Sequence, residues 1–111
     1  MICNRFDVVI VPFPFLERPV TKVRPALVLS ASVFNNENGH TILAMITTGA
    51  ESSWPADFRL QDLQSAGLRH ASLVRWKLFT LPNNMLQQVI GQLSERDETH
   101  INAALTAMFT N

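Results

Sequence analysis

The sequence predicts one small, mainly β domain of the α+β class: short strands in a strongly bent sheet or barrel, finished by a single C-terminal helix. Three observations predict it. Short β-rich apolar runs recur along the chain and are broken by Pro, Asn and Gly. Apolar residues make up 47% of 111 residues, enough for a core without disulfide support. Only the last segment combines a helical apolar period with a capping residue. A chain of this length has room for one core, so the domain spans 1–111.

In chain order, "DVVIVPFPF" (7–15) reads as a strand that Pro12 and Pro14 end or edge. "FLERPVTKV" (15–23) is a charged loop held by Pro19. "RPALVLSAS" (24–32) is nearly continuous apolar sequence, hence a central strand. "NNENG" (35–39) is a turn cluster before the next strand, "HTILAMITT" (40–48), so the first three strands form an antiparallel meander. "GAESSWPAD" (49–57) is a loop and "FRL" (58–60) a short strand. "QDLQSAGL" (61–68) suggests one or two helical turns stopped by Gly67. "ASLVRW" (71–76) and "KLFTL" (77–81) are β-type, and "PNNMLQQVIGQL" (82–93) is mixed, with a turn at Asn83 and Asn84. "SERDETHINAALTAMF" (94–109) is the helix. Ser94 is placed to cap it, Asp97 sits at capping-box spacing, and Ile101, Ala104, Leu105 and Met108 share one face.

Nine Lys and Arg balance nine Asp and Glu, which excludes a protein that coats nucleic acid without selectivity. Any polyanion site must be local. Seven of the nine cations are arginine, the better fork for phosphate. A single cysteine, Cys3, can form no internal bridge, which fits a reducing, cytoplasmic setting. The opening "MICNRFDVVIVPFPF" lacks a signal-peptide pattern, and no apolar run approaches the ~20 residues of a membrane span. No Cys/His spacing supports a metal, and the four glycines are isolated, so no metal, phosphate loop or cofactor is expected.

The stretch "VTKVRPALVLS" (20–30) holds the first chemical signal. Pro25 fixes its own φ and pushes Arg24 toward an extended backbone, which aims the guanidinium at the mouth of the core. The loop before it carries Arg18, Lys22 and Arg24 against Glu17, a local excess of +2 in a neutral chain. Of the histidines, His40 opens a strand after a turn and His100 lies on the final helix. His70, just before "SLVR", is the one worth testing as a base.

Taken in order, "FDVVIVPFPF", "RPALVLS", "ILAMITT", "AGL", "SLVRWKLFTL" and "IGQLS" resemble the MazF/PemK family of toxins from bacterial toxin–antitoxin pairs. The resemblance implies an SH3-like barrel of the type shared with the gyrase-poisoning toxin CcdB, and a homodimer. It also implies a metal-independent endoribonuclease that cuts single-stranded mRNA at short sequences, with a cognate antitoxin that blocks the RNA channel. Carried onto this chain, the arginine of "RP" is Arg24 and the threonine of "IT" is Thr47, both expected to be catalytic. The serine and arginine of "S-x-x-R" are Ser72 and Arg75, expected on RNA with Lys22 and Arg18 of the basic loop and Trp54 of the loop that borders the channel in the family.

Metal-free cleavage uses the neighbouring 2′-OH as nucleophile. It needs removal of that proton, stabilisation of the phosphorane charge and protonation of the leaving 5′-oxygen. Arg24 suits the second task through its planar fork, and Thr47 can donate a hydroxyl to the same phosphate. Two departures stand out: Phe6 precedes Asp7 where the family usually has Gly, and Trp76 and Lys77 follow Arg75 where several members have an acid. The proton carrier is left open. Plainer roles compete at some positions: Arg75 as partner of Asp7 or Glu17, Trp54 as a core cap, and Trp76 as packing. Phe13, Phe15, Trp76 and Phe79 are expected as surplus apolar groups that a dimer would cover. The alternative function is a non-catalytic toxin that binds gyrase through "TAMFTN" (106–111), which lacks the aromatic-plus-glycine ending that function would lead one to expect.

Overall fold

The chain is described here from a computed structural model covering residues 1–13, 22–50 and 52–111. Its strands are β1 (Asp7–Phe13), β2 (Lys22–Val28), β3 (His40–Thr47), β4 (Phe58–Arg59), β5 (Leu73–Pro82) and β6 (Gln88–Gln92). Two α-helices, α1 (Ser32–Asn38) and α2 (Glu95–Met108), and a 3₁₀ turn (Asn83–Met85) complete the order. The strands form one antiparallel sheet in the order β4-β5-β3-β2-β1-β6, with the expected β1-β2-β3 meander at its centre. The sheet curls into the half-barrel that the mainly β expectation called for.

Both faces of the sheet are apolar, because alternate residues of the central strands feed two separate cores. Val8, Leu27, Ala44 and Ile46 join Val74, Trp76, Leu93 and Ile101 of α2 in one core. Val9, Val11, Ala26, Val28 and Leu43 join Cys3, Leu81 and Leu86 in the other. Burial on both sides explains why the strands read as continuous apolar runs rather than as strict alternation. Pro12 sits within β1. Ile10 accepts from Gln87 N at the end of the β6 ladder, and Pro12 turns its backbone the same way beyond that end, so its missing N–H breaks no ladder bond.

Several local expectations change. "NNENG" is not a simple turn: its asparagines belong to α1, and Gly39 closes the helix at φ 66°. The reason is tertiary. Asn35 is fully buried; its amide donates to the carbonyls of Cys3 and Ser30 and its carbonyl accepts from Asn83, so turn-forming residues serve a buried network. The two β pieces after residue 71 are one strand. Ala44 pairs with Leu78 and Met45 with Arg75, so a bulge at Trp76 and Lys77 divides it. Trp76 is buried, 8% exposed, and donates Nε1–H to the Ala56 carbonyl at 3.0 Å; it is a core residue, not surplus surface. Phe79 is half-buried against the second core, while the Phe13 side chain and Phe15 lie outside the described residues.

The "QDLQSAGL" segment forms turns without a helix, and α2 pins it. Ser94 caps α2 as expected, accepting Asp97 N–H at 3.2 Å. Asp97, fully buried, turns away from the capping box. Its carboxylate accepts the N–H groups of Gln61 (3.1 Å) and Asp62 (3.0 Å). Asp62 in turn accepts the Nε–H and one terminal N–H of Arg96, and Ser94 Oγ–H, bonds that hold its carboxyl below the usual range. The far end of this 61–68 segment, the hook, packs on β6. A Cβ at Gly67, whose φ is 72°, would lie 2.0 Å from the Ile90 carbonyl oxygen. Only glycine permits that approach. Of the predicted helical face, Ile101 is buried and Ala104 and Leu105 are half-buried, but Met108 in the last turn is 40% exposed.

Candidate functional site

The "RP" pair places the first candidate side chain, Arg24. β2 and β3 pair Val28 with Leu43, Leu27 with Ala44 and Ala26 with Met45. The same register carried two residues further sets Arg24 opposite Thr47. Both line a cleft of about 200 Å³, with Pro25 beside Arg24 and Ile46 and Thr48 beside Thr47. The opposite wall comes from the segment that leaves the hook: Leu68, Arg69, His70 and Ser72. Arg24 is exposed and takes no hydrogen-bond partner among the described residues, so its fork is free for a ligand. The Thr47 hydroxyl oxygen accepts the Gly49 N–H at 3.3 Å, which leaves its own hydrogen to donate. The walls therefore combine an apolar floor with two guanidinium groups and two threonines. Among the described residues they include no carboxylate.

Ser72 enters the cleft wall in a different capacity from the one expected. It is buried, and its hydroxyl donates to the His70 carbonyl at 2.8 Å, so it shapes the segment that carries His70. Arg75 lies outside this lining. Its Nε and one terminal nitrogen bridge both carboxylate oxygens of Asp57, at 3.0 and 2.8 Å, and its other bonds go to the hydroxyl and carbonyl of Ser52. The ion pair is closed in, with side chains 8% and 10% exposed. Its hydrogen bonds to Arg75 hold the Asp57 carboxyl below the usual range, while the same bonds raise the Arg75 guanidinium. The expected partners are thus replaced. Asp7 is occupied by Asn4 N–H and the Gln92 amide, and Glu17 lies outside the described residues.

Trp54 is 39% exposed and its ring lies against the Arg75 guanidinium at 5.6 Å, while its backbone N–H donates to Asp57 Oδ2 at 2.9 Å. Lys22 is exposed at the start of β2, and Arg18 lies outside the described residues. The residue that sequence reasoning passed over is Arg69; its only signal was its place directly after "AGL". His40 has Nδ1 2.9 Å from the Asn38 carbonyl and His100 stacks on Phe58, both away from the cleft. No group of three His, Cys, Asp or Glu side chains among the described residues is placed to hold a metal ion, and none of their helices is long and apolar enough to cross a membrane.

A family model described as PemK-like, MazF-like toxin of type II toxin–antitoxin system matches residues 4–109. Three solved structures share the fold. MazF from Deinococcus radiodurans is 19% identical, with a TM-score of 0.72 over 97% of this chain and 96% of its own. The Mycobacterium tuberculosis toxin MazF-mt6 is 23% identical, with a TM-score of 0.72 over 93% and 95%. An endoribonuclease in complex with its cognate antitoxin, from a mycobacterial species, is 17% identical, with a TM-score of 0.73 over 96% and 91%. At these identities the likeness is one of fold. No curated protein matches the sequence.

Proposed function

The chain belongs to the PemK-like, MazF-like toxins of type II toxin–antitoxin systems, and we propose that it is a metal-independent endoribonuclease that cuts single-stranded mRNA at short sequences. The observation that carries this is the free Arg24 fork beside Thr47 in a cleft whose described walls include no carboxylate. A phosphodiester fits there without charge repulsion. Arg24 is the clamp on the phosphorane oxygens, and Thr47 donates a further hydrogen bond to the same charge. Each such donor is worth roughly 3–4 kcal/mol in a transition state. Ser72 supports the wall, and Trp54, Lys22 and Arg18 extend contact along the strand beyond the cleft.

A cognate antitoxin controls this activity by covering the same groove; the mycobacterial endoribonuclease that shares this fold was solved in complex with its cognate antitoxin. The active form is a cytoplasmic homodimer, as the family resemblance implies, and sedimentation at micromolar concentration tests it; a monomer there would count against it. The deciding experiment is incubation of the purified protein with RNA in EDTA, with the ends mapped. Cleavage at a short recurring sequence, leaving 2′,3′-cyclic phosphate and 5′-hydroxyl ends, is the expected result. Intact RNA, or cleavage only after metal is restored, would refute the proposal.

A further inference from the structure

Clamping a phosphate leaves the 2′-OH proton without an acceptor, and few groups in the cleft compete for it. Its described walls hold no Asp or Glu. A guanidinium has no acceptor nitrogen, and an alcohol is a poor base. An imidazole accepts and returns a proton near neutral pH. His70 is the one imidazole in the lining, and its backbone is braced on both sides. On one side the Ser72 hydroxyl holds its carbonyl at 2.8 Å, and the Ser72 carbonyl is itself held by Leu60 N–H at 3.0 Å. On the other, Leu68 N–H bonds to the Leu63 carbonyl at 2.9 Å, within a hook pinned by Asp97. The charged groups that share the cleft with His70 are Arg24 from β2 and Arg69 from its own segment, with none from β3.

We propose that His70 is the general base of RNA cleavage, taking the 2′-OH proton while Arg24 and Thr47 hold the phosphate, a role that presupposes the ribonuclease activity proposed above. The 2′-oxygen then bonds to phosphorus as the P–O5′ bond breaks with its electron pair on the 5′-oxygen. That oxygen takes a proton from water, and the imidazolium returns its own proton to the hydroxide so formed. The products are a 2′,3′-cyclic phosphate and a 5′-hydroxyl, with no net proton gained or lost.

Single-turnover cleavage of a short RNA in EDTA, followed from acid to alkaline pH, tests this. His70→Gln should slow cleavage by roughly 10²–10⁴-fold, the usual contribution of a general base, and should abolish the fall in rate toward acid pH. Its melting temperature and its affinity for an RNA blocked by a 2′-deoxy group at the cut site should be unchanged. Added imidazole should restore part of the rate to His70→Ala and none to Arg24→Ala. His40→Gln and His100→Gln should cleave like the parent. A folded His70→Gln that cleaves within threefold of the parent, with the same pH profile, would overturn the base assignment and leave the ribonuclease proposal standing. A parent protein that cuts no RNA would overturn both.

Discussion

Arg75 and Asp57 form a two-pronged ion pair, Nε to Oδ1 at 3.0 Å and NH2 to Oδ2 at 2.8 Å, that ties β5 to the loop before β4. The same guanidinium holds Ser52 and lies against Trp54. Arg75→Lys cannot reproduce this fork and should lower the melting temperature by several degrees, with Arg75→Ala worse. The pair is also a pH sensor of stability. The Asp57 carboxyl is lowered in the folded chain, so its contribution is complete above the ordinary carboxylate value of about 4. It is lost as pH falls from there through the folded value. Melting curves across acid pH should show Asp57→Asn less stable than the parent near neutrality, with the gap closing in acid. A constant gap would mean that the ion pair is not the cause.

Phe6 tests the cost of a strained backbone just before β1. It adopts φ 71°, the one positive value at a non-glycine among the described residues. Its ring is 6% exposed in the first core, and the Arg5 guanidinium lies over it at 4.4 Å. The strain is about 1–3 kcal/mol, against about 3–5 kcal/mol from losing the buried ring. Phe6→Gly relieves one while losing the other, a net loss of about 2 kcal/mol. Phe6→Ala loses the ring without relief and should be the less stable of the two, reversing the usual order of Ala and Gly. Urea denaturation of both variants measures this.

Asp97 is predicted to matter more for the hook than for its own helix. Asp97→Ala leaves the Gln61 and Asp62 N–H groups without their acceptor, at a cost of about 3 kcal/mol, and Asp97→Asn, which keeps one acceptor oxygen, costs less. Amide exchange should quicken at residues 61–68 before the centre of α2 loosens. RNA cleavage should fall as well, since the hook leads into the cleft wall.

Arg24→Ala should abolish growth arrest and lower cleavage by at least 10²-fold with the fold intact, because the side chain is exposed and takes no hydrogen-bond partner among the described residues. Arg24→Lys should recover little, as a point charge cannot hold two phosphate oxygens. Full toxicity from a folded Arg24→Ala protein would remove Arg24 from the mechanism.

Lys22→Glu reverses a charge at the rim without touching the cleft. It should weaken RNA and antitoxin together, and the parent's affinity for both should fall as salt rises. Titrations with a non-cleavable RNA and with an acidic antitoxin peptide decide it. If antitoxin affinity is unchanged while RNA binding falls, the two do not share a groove.

The strands, the capped final helix and the family motifs were legible in the chain because each is local: apolar runs between breakers, Ser94 before a helical period, and Arg24 held extended by Pro25. What long-range packing decides was not legible. Nothing near Arg75 in sequence points to Asp57, eighteen residues away, and its pairing there removes it from the cleft. Asn35 reads as a turn former until the carbonyls of Cys3 and Ser30 and the Asn83 amide enclose it. His70 stands out among the three histidines only by its place before "SLVR"; the Asp97 clasp and the Ser72 hydroxyl are what bring it to the wall opposite Arg24. Hydrogen-bond partners far apart in the chain carry no periodicity, so only the folded sheet, with its fixed register and bulge, decides which polar groups are spent on structure and which face the cleft.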